Sequence, residues 1–363
     1  MKNTFGSSLT VTLFGESHGA AIGAVLDGMP SGVDVDTGRI SHELSLRRPA
    51  GKVSTARREA DEFVIESGVF RGKTTGTPIC IVIPNKDTRS EDYDAMHRAA
   101  RPGHADLTAF FKYGGYEDYR GGGHFSGRIT AALVAVGAIV RSVLEKKGVT
   151  VATHVHSIAG IPDRGFENTE EDIKKLSVMN FPVLDDMAAE KMNEAILAAA
   201  SEGDSVGGVL ESVVWGVPGG VGEPWFDTLE SVIAHALFSV PAVKGVEFGD
   251  GFALAAMRGS EANDPIRVTG GKMTPVTNHS GGILGGISSG APIVVRSAVK
   301  PTATIFKKQD TVDLVTGENT EIEAKGRHDP CIVHRAAAVV NNLLPIVIGD
   351  MLLQKYGTEW LRS

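Results

Sequence analysis

Three histidines lie in tight turns beside charged residues, a combination suited to acid–base chemistry. His104 occurs in RPGHAD, between Arg101 and Asp106; His18 occurs in GESHG and His328 in KGRHDP. An imidazole titrates near neutral pH, so it can donate or accept a proton in the middle of a reaction. Pro-Gly turns with charged neighbours are also ordinary surface structures. Each motif taken alone therefore leaves a structural and a catalytic interpretation open.

Arginines recur beside turn signals and predicted helix starts. Guanidinium groups bind carboxylates and phosphates through paired hydrogen bonds. On a chain of net charge −8, arginines are usually solvated partners of acidic residues. Their association with glycine-rich loops instead favours a cluster that binds one or more anionic ligands. The arginines in question are Arg47, Arg48, Arg57, Arg58, Arg101, Arg120, Arg128, Arg327 and Arg335.

Glycine is abundant, at 44 of 363 residues, and it is clustered in loops. The clusters are GGGH (121–124), GVPGGVGEP (216–224) and SGGILGGISSG (280–290). None has the spacing of a P-loop or of a dinucleotide-binding fingerprint. The first cluster leads into an apolar stretch that predicts a buried helix, and free amides at a helix start bind phosphate. A tight connection between a sheet and a helix is the alternative.

Composition excludes several classes of function. A net charge of −8 and a pI near 5.8 provide no basic field for nucleic acid or anionic membranes. Two distant cysteines, Cys80 and Cys331, indicate neither a disulfide framework nor structural zinc. We find no HExxH or other metal-ligand spacing and no GxSxG elbow, and we expect no metal. With no apolar leader and no apolar run long enough for a bilayer, the sequence predicts a cytoplasmic protein.

The elements that must position these residues follow from hydrophobic periodicity. Alternating apolar runs predict strands at 9–14, 20–28, 63–70, 79–84, 150–160, 208–217 and 292–299. Helical patterns occupy 128–148, 187–203, 228–240 and 335–357, with a bend expected near Pro345. The first of these is apolar on all sides, so it must be buried between other layers. The pattern predicts one α+β domain over residues 1–363, with helices inside and sheets outside.

A series of motifs in this order closely resembles the chorismate synthase family along essentially the whole chain. They are GESHG (15–19), RRP (47–49), RRE (57–59), SGVFRGKTTGTPI (67–79), RPGHAD (101–106), YRGGG (119–123), GDSVGG (203–208), AVKGVEFGDGF (242–252), GSEAND (259–264), NHSGGILGGISSG (278–290), KPTATI (300–305) and KGRHDPC (325–331). The resemblance implies a β-α-β sandwich with central long helices between antiparallel sheets, assembled as a homotetramer.

The resemblance also implies a reaction. In this family 5-enolpyruvylshikimate 3-phosphate loses phosphate and a ring hydrogen by 1,4-elimination to give chorismate, the last step of the shikimate pathway towards aromatic amino acids. Reduced FMN is required without net oxidation or reduction. NADPH would serve as an indirect source of electrons, and we expect a separate flavin reductase because no additional domain is recognisable.

Family roles can be transferred position by position. His18 and His104 match two catalytic histidines, the latter assigned to the leaving phosphate and the former to the flavin. Asp329 matches an acid that works with the flavin in removing the ring hydrogen. The substrate-binding positions are Arg47, Arg48, Arg101, Arg128 and Arg335. The flavin positions are His124, Phe125, Ser126, Pro241, Ala242, Gly285, Lys300, Pro301, Thr302, Ala303, Thr304 and Arg327.

The chain departs from the family pattern at a few positions. Relatives commonly have GGRSSARET where this chain has GGGHFSGRIT, so His124 replaces an arginine and Ile129 a glutamate. The closing RAxPxxE pattern has Asn341 in place of its glutamate. Lys52 stands, with an offset of one residue, where relatives often have a second arginine. These changes concern the affinity for flavin phosphate and the pairing of cations with ligand oxygens.

Two other functions fit parts of the same pattern. A flavin-dependent oxidoreductase would use the pocket for net electron transfer, but the presence of His104 and Asp329 and the lack of a dinucleotide fingerprint weigh against it. A non-catalytic flavin-binding protein is suggested by His124, Ile129 and Asn341, whereas the retention of all three acid–base candidates favours a lyase.

Overall fold

The computed structural model describes residues 3–49, 60–86, 98–167, 169–323 and 328–362. Its helices are α1 (Thr37–Arg47), α2 (Asp106–Tyr113), α3 (Thr130–Lys146), α4 (Thr169–Leu176), α5 (Asp186–Ser201), α6 (Leu229–Ser239), α7 (Gly259–Ala262) and α8 (Val333–Tyr356). Its strands are β1 (Thr4–Phe5), β2 (Thr10–Gly15), β3 (Ala21–Asp27), β4 (Val64–Ser67), β5 (Val69–Phe70), β6 (Lys73–Thr74), β7 (Ile79–Pro84), β8 (Thr150–Ile158), β9 (Ile161–Pro162), β10 (Gly208–Trp215), β11 (Val243–Phe248), β12 (Ile266–Thr269), β13 (Lys272–Pro275), β14 (Ile283–Leu284), β15 (Ile287–Ser288), β16 (Ile293–Val299), β17 (Gln309–Val312) and β18 (Asn319–Ile322).

Two five-stranded antiparallel sheets form the outer layers. The first has the order β1-β2-β3-β7-β4, and the second has the order β11-β16-β10-β8-β9. Helix α3 contacts β3 and β7 of the first sheet and β8 of the second, while α8 packs on β8 and β10. The predicted α+β arrangement, with central helices between antiparallel sheets, is therefore confirmed.

The central helices are buried because they are apolar on nearly every side. In α3, 14 of 17 residues are buried, including all those from Thr130 to Arg141. By length and hydropathy, Gly127–Lys146 and Val333–Tyr356 could each cross a membrane, but 89% and 83% of their most apolar windows are buried inside the protein. Helix α8 continues through Pro345, at the position where the sequence predicts a bend. Both segments have the burial expected of core helices.

The two central helices approach each other closely at a glycine. A β-carbon placed on Gly137 of α3 would lie 2.1 Å from the backbone oxygen of Asn342 in α8. Glycine therefore permits a backbone separation that any larger residue would prevent. Further along, Gly349 of α8 lies against Val140 of α3, so the two helices run in the same direction.

A buried carboxylate joins three helices. Glu43 of α1 accepts hydrogen bonds from Arg141 of α3 and from Asn342 of α8, each at 2.9 Å. Burial alone would raise the pKa of the Glu43 carboxyl, but the charge of Arg141 and these hydrogen bonds outweigh burial and lower it. The ionised carboxylate is thus compensated where the helices meet.

The sequence predicts the long elements better than the short ones. All four predicted helices and all seven predicted strand regions are present. Helix α1 was missed, although Asp36 caps it by accepting from the Arg39 amide at 3.1 Å, and Ile40 and Leu44 form its buried stripe. The many polar residues of α1 obscure these buried apolar positions in the sequence. Helices α2, α4 and α7 and the strands of two to four residues outside the predicted regions were also missed, because such short segments carry little periodicity. Strand β11 was missed although it has six residues, as many as β2.

Replacing Gly137 with alanine should lower the free energy of unfolding by about 2 kcal/mol. The added methyl group forces the central helices apart, and overpacking costs typically 1–3 kcal/mol, which exceeds the gain of about 1 kcal/mol in helix propensity. Urea denaturation followed by circular dichroism measures the change. Gly165→Ala is the matched control because no heavy atom lies within 4 Å of its would-be β-carbon. Equal stability of the two variants would contradict the close approach.

Candidate active site

A cleft of about 880 Å³ opens where both central helices begin. Residues from the start of α3, such as Arg128 and Thr130, line it together with Arg335 and Val339 from the start of α8. The positive ends of two helix dipoles therefore lie at one cavity. The other walls come from the end of α1, the segment 238–244 at the end of α6, the 300–304 loop and the RPGHAD turn.

Most of the sequence-predicted site residues line this cleft. They are Arg47, Arg48, Arg101, His104, His124, Phe125, Ser126, Arg128, Pro241, Ala242, Lys300, Pro301, Thr302, Ala303, Thr304, Asp329 and Arg335. These residues span more than 280 positions of the chain, so only the fold brings them together.

Three predicted site residues have other placements. His18 is 7% exposed and does not line the cleft. Gly285 lies in the turn between β14 and β15, also outside the lining. Arg327 falls outside the described residues, as do Arg57, Arg58 and Lys52.

The glycines of the GGGH loop allow the GESHG and RPGHAD turns to pack against the same short segment. Residues 121–123 have φ values of 58°, 81° and 53°, a left-handed conformation that favours glycine. A β-carbon on Gly121 would lie 2.3 Å from the His18 ring, and one on Gly122 would lie 3.2 Å from Cε1 of His104. Two histidine rings thus pack directly on glycine backbone, and His18 is covered from the cleft side by this turn.

His104 is held by its own turn. Its Nδ1 lies 2.6 Å from Oδ1 of Asp106, and Arg101 Nη2 donates to the same oxygen at 2.8 Å. Because Asp106 accepts both hydrogens, Nδ1 carries a proton and Nε2 is the nitrogen available to a ligand. Burial alone would raise the pKa of the Asp106 carboxyl, but the hydrogen bonds from Arg101 and His104 outweigh it and hold that pKa well below its ordinary value. The ionised carboxylate in turn fixes the orientation of the imidazole ring.

The cleft is strongly cationic. Among the described residues, seven lysine and arginine side chains line it against two carboxylates. The cations are Arg47, Arg48, Arg101, Arg128, Lys244, Lys300 and Arg335, and the carboxylates are Asp61 and Asp329. On a chain of net charge −8, this concentration of positive charge indicates an anionic ligand.

Asp61, like Lys244, is a charged residue of the cleft that the sequence analysis missed. Its side chain is fully buried and pairs with Arg47 at 3.2 Å and, through a short contact, with Arg128. Burial alone would raise the pKa of the Asp61 carboxyl, but the charges of Arg47 and Arg128 outweigh burial and lower it. One carboxylate therefore holds two buried guanidinium groups in place. The sequence offered little indication of this role, because a single acid that follows an arginine-rich segment matches no known motif.

The second carboxylate lies at the start of α8. Asp329 is 9% exposed and accepts a hydrogen bond from Arg335, whose Nε also donates to the Arg47 carbonyl at 3.0 Å. Nearby Cys331 is fully buried, and burial raises the pKa of its thiol to about 12. The thiol stays protonated and is unsuited to nucleophilic chemistry.

The entry to α3 is fixed by local hydrogen bonds. Ser126 Oγ accepts from the Arg128 amide at 3.2 Å, and His124 Nδ1 donates to the Gly15 carbonyl at 2.8 Å. Of the positions that depart from the family pattern, His124 and Ile129 line the cleft, whereas Asn341 does not.

Comparisons with known proteins point to a single family. Residues 9–353 match the family model described as chorismate synthase. A chorismate synthase of Korarchaeum cryptofilum is 47% identical over 353 residues, covering 96% of this chain and 97% of that protein. One of Methanosarcina mazei is 48% identical over 355 residues, with coverages of 97% and 96%. A solved structure titled "Crystal Structure of Chorismate Synthase" matches with a TM-score of 0.77 at 31% identity, covering 98% of this chain and 96% of that one.

Asp61→Asn should lower the free energy of unfolding by about 3 kcal/mol, because removing one partner leaves buried cations uncompensated. Sulfate should restore part of the lost free energy of unfolding by binding to the released arginines. Urea denaturation with and without sulfate measures this recovery. Asp34→Asn is the control, since Asp34 is exposed and pairs with Lys73 on the surface; we expect little change there. If both variants behave alike, Asp61 does not organise the arginines.

Proposed function

The chain belongs to the chorismate synthase family, whose members are carbon–oxygen lyases, and from this premise we propose that it converts 5-enolpyruvylshikimate 3-phosphate to chorismate by 1,4-elimination of phosphate. The single observation that carries the proposal is a cationic cleft with a carboxylate-held histidine on its wall. A substrate with two carboxylates and a phosphate matches that charge.

The arginines are the proposed substrate-binding groups. Arg47 and Arg128 are buried and already held by Asp61, and Arg101 is held by Asp106 at 2.7 Å. Such cations need no reorganisation when negative charge develops on the leaving phosphate, which is the condition for electrostatic stabilisation of a transition state. Arg48 and Arg335 complete the proposed set in the same cleft: Arg48 lies 3.8 Å from Asp61, and Arg335 donates to the Arg47 carbonyl.

His104 is the proposed proton donor to the departing phosphate oxygen. With Nδ1 bound to Asp106, the proton to be transferred is the one on Nε2. The carboxylate keeps the ring oriented, a role that a buried acid commonly has beside a catalytic histidine. Asp106 is therefore a proposed positioning residue.

Asp329 and His18 have less direct roles in the proposal. Asp329 is the proposed acceptor of the hydrogen that leaves the ring, because it is the carboxylate of the cleft that lies beside α8 and is held by Arg335. His18 packs on Gly121, which borders the cleft. His18 is therefore a proposed catalytic residue that acts on the cleft through the glycine turn.

The residues present fit reduced FMN, which when bound supplies an electron that assists C–O cleavage and recovers it afterwards. A volume of about 880 Å³ lies near the upper end of small-molecule sites and suits two ligands together. Thr302 Oγ1 is buried in the described part of the chain without a hydrogen-bond partner, and Phe125 offers a ring that is 36% exposed. The proposed holding groups are Phe125, Ser126 and the 300–304 loop, with His124, Pro241, Ala242, Gly285 and Arg327 from the family pattern.

The remaining proposals concern the chain as a whole. We propose one domain over residues 1–363, since one hydrophobic cluster runs from Leu9 to Leu361, in a cytoplasmic enzyme without nucleic-acid or membrane partners. Exposed apolar side chains such as Trp225 and Phe226, 83% and 92% exposed, support assembly into the family's homotetramer. A separate flavin reductase, with NADPH as the source of electrons, would keep the flavin reduced.

His104→Ala and Asp329→Ala should each lower kcat at least ~100-fold, the usual scale for acid–base groups. His18→Ala should cause a comparable loss. Anaerobic phosphate release with substrate and reduced FMN measures the rates. His235→Ala is the control, because this exposed histidine lies outside the cleft. Near-full activity of any purified, folded variant would remove that residue from the mechanism.

The stoichiometry of reductant separates the lyase from a flavin-dependent oxidoreductase. We expect many phosphates released for each FMN reduced at the start, because the elimination has no net electron change. Oxidised FMN with NADPH alone, lacking dithionite or a reductase, should give no turnover. One reductant oxidised for every phosphate released would contradict the lyase.

A further inference from the structure

A cluster of two imidazoles and one carboxylate lies on the second sheet, apart from the cleft. His154 and His156 share one face of β8, and Glu211 of β10 stands directly opposite His154 in the antiparallel register. One potential ligand atom from each of the three side chains lies within 4.8 Å of the other two. None of the three lines the cleft. The sequence analysis expected no metal, because ligands from strands 57 residues apart form no spacing motif.

The first imidazole is already oriented as a metal ligand would be. His154 is fully buried, and its Nδ1 contacts Asp163 Oδ2 at 2.8 Å, so Nδ1–H donates to the carboxylate and Nε2 faces Glu211. Metal-bound histidines commonly donate their second N–H to a carboxylate in this way. The backbone amides of Leu184 and Asp185 donate to Asp163 at 2.7 and 2.9 Å, which fixes that carboxylate independently.

The distance between the first two ligand atoms also suits a small cation. Nε2 of His154 and Oε1 of Glu211 are 3.3 Å apart. Two ligands about 2.0–2.1 Å from a tetrahedral zinc ion are separated by about 3.3 Å. The same distance is long for a hydrogen bond to a charged carboxylate, which is typically 2.7–2.9 Å.

The third ligand has an unused nitrogen. His156 is half-buried, and its Nδ1 is buried without a hydrogen-bond partner among the described residues. A buried polar atom with no partner is unfavourable, and an ion bound through this nitrogen would supply the missing partner.

The surrounding charge is compatible with a cation. The cluster contains two carboxylates, from Asp163 and Glu211, which balance a divalent ion when both imidazoles are neutral. Arg296 stands directly opposite Glu211 in the register of β10 and β16, and its guanidinium pairs with Glu247 at 3.0 Å and donates to the Gly249 carbonyl at 2.7 Å. These contacts compensate part of its charge, and the rest opposes a cation at the cluster.

We propose that His154, His156 and Glu211 bind a divalent first-row cation of the zinc class, with Asp163 orienting His154. Two imidazoles and one carboxylate are a donor set that zinc accepts, with a fourth position open to water. The ion would link β8 to β10 and, through Asp163, to the segment before α5. Its role is structural, because the site is separate from the cleft.

The test titrates the chelator-treated full-length protein with Co²⁺ and follows the visible absorption of tetrahedral cobalt. We expect one Co²⁺ per chain, displaced by Zn²⁺. Zn²⁺ at a hundredfold excess over its Kd should also raise the Tm by about 3 °C, as expected for a ligand that binds only the native state of a chain of this length.

His156→Ala and Glu211→Gln should each weaken Co²⁺ binding at least ~10-fold, with circular dichroism confirming the fold. His235→Ala, the exposed histidine outside the cluster, should leave binding unchanged. Phosphate release by the chelator-treated enzyme should equal that of the Zn²⁺-loaded enzyme. A failure of metal binding can therefore be distinguished from a failure of the proposed reaction. Failure of the wild-type protein to develop the cobalt spectrum, or equal binding by wild type and His156→Ala, would overturn the proposal.

Discussion

The close packing of two buried helices is the constraint on which the rest of the structure depends. Because α3 and α8 are apolar on nearly all sides, each sheet can cover only part of them, and the helices must cover each other. Gly137 allows their backbones to meet at Asn342. Since the helices run in the same direction, their positive ends reach the same cleft, and this charge is a consequence of core packing.

The cleft holds its positive charge in place through buried carboxylates. Asp61 binds Arg47 and Arg128, and Asp106 binds Arg101 and His104. Isolated cations in such a position would repel one another and shift before any ligand arrived. Fixing several cations on fewer acids keeps the net charge of the cleft positive while setting the directions of the donors. That preorganisation is what the proposed elimination of an anionic leaving group would require.

The sequence determined the main elements and most of the site. All-round apolar character identifies α3, strict alternation identifies the long strands, and the motif series identifies the family. The histidines and arginines were singled out because their motifs combine them with glycine in ways that core packing does not need, whereas the flavin positions came from the family resemblance. Asp61 was missed because its importance comes from the groups around it. Helix α1 was missed because polar residues separate its few buried apolar residues, Ile40, Leu44 and Leu46.

Tertiary structure alone decided which of these residues share a wall. Residue types set the chemistry that each side chain can perform, but distance and burial decide whether it performs it. Thus His104 lies on the cleft while His18, of the same type and in a similar turn, is covered by Gly121. Likewise His154 and Glu211 are neighbours only because β8 and β10 pair in one register. Strand pairing depends on contacts far apart in the chain, and local patterns do not contain them.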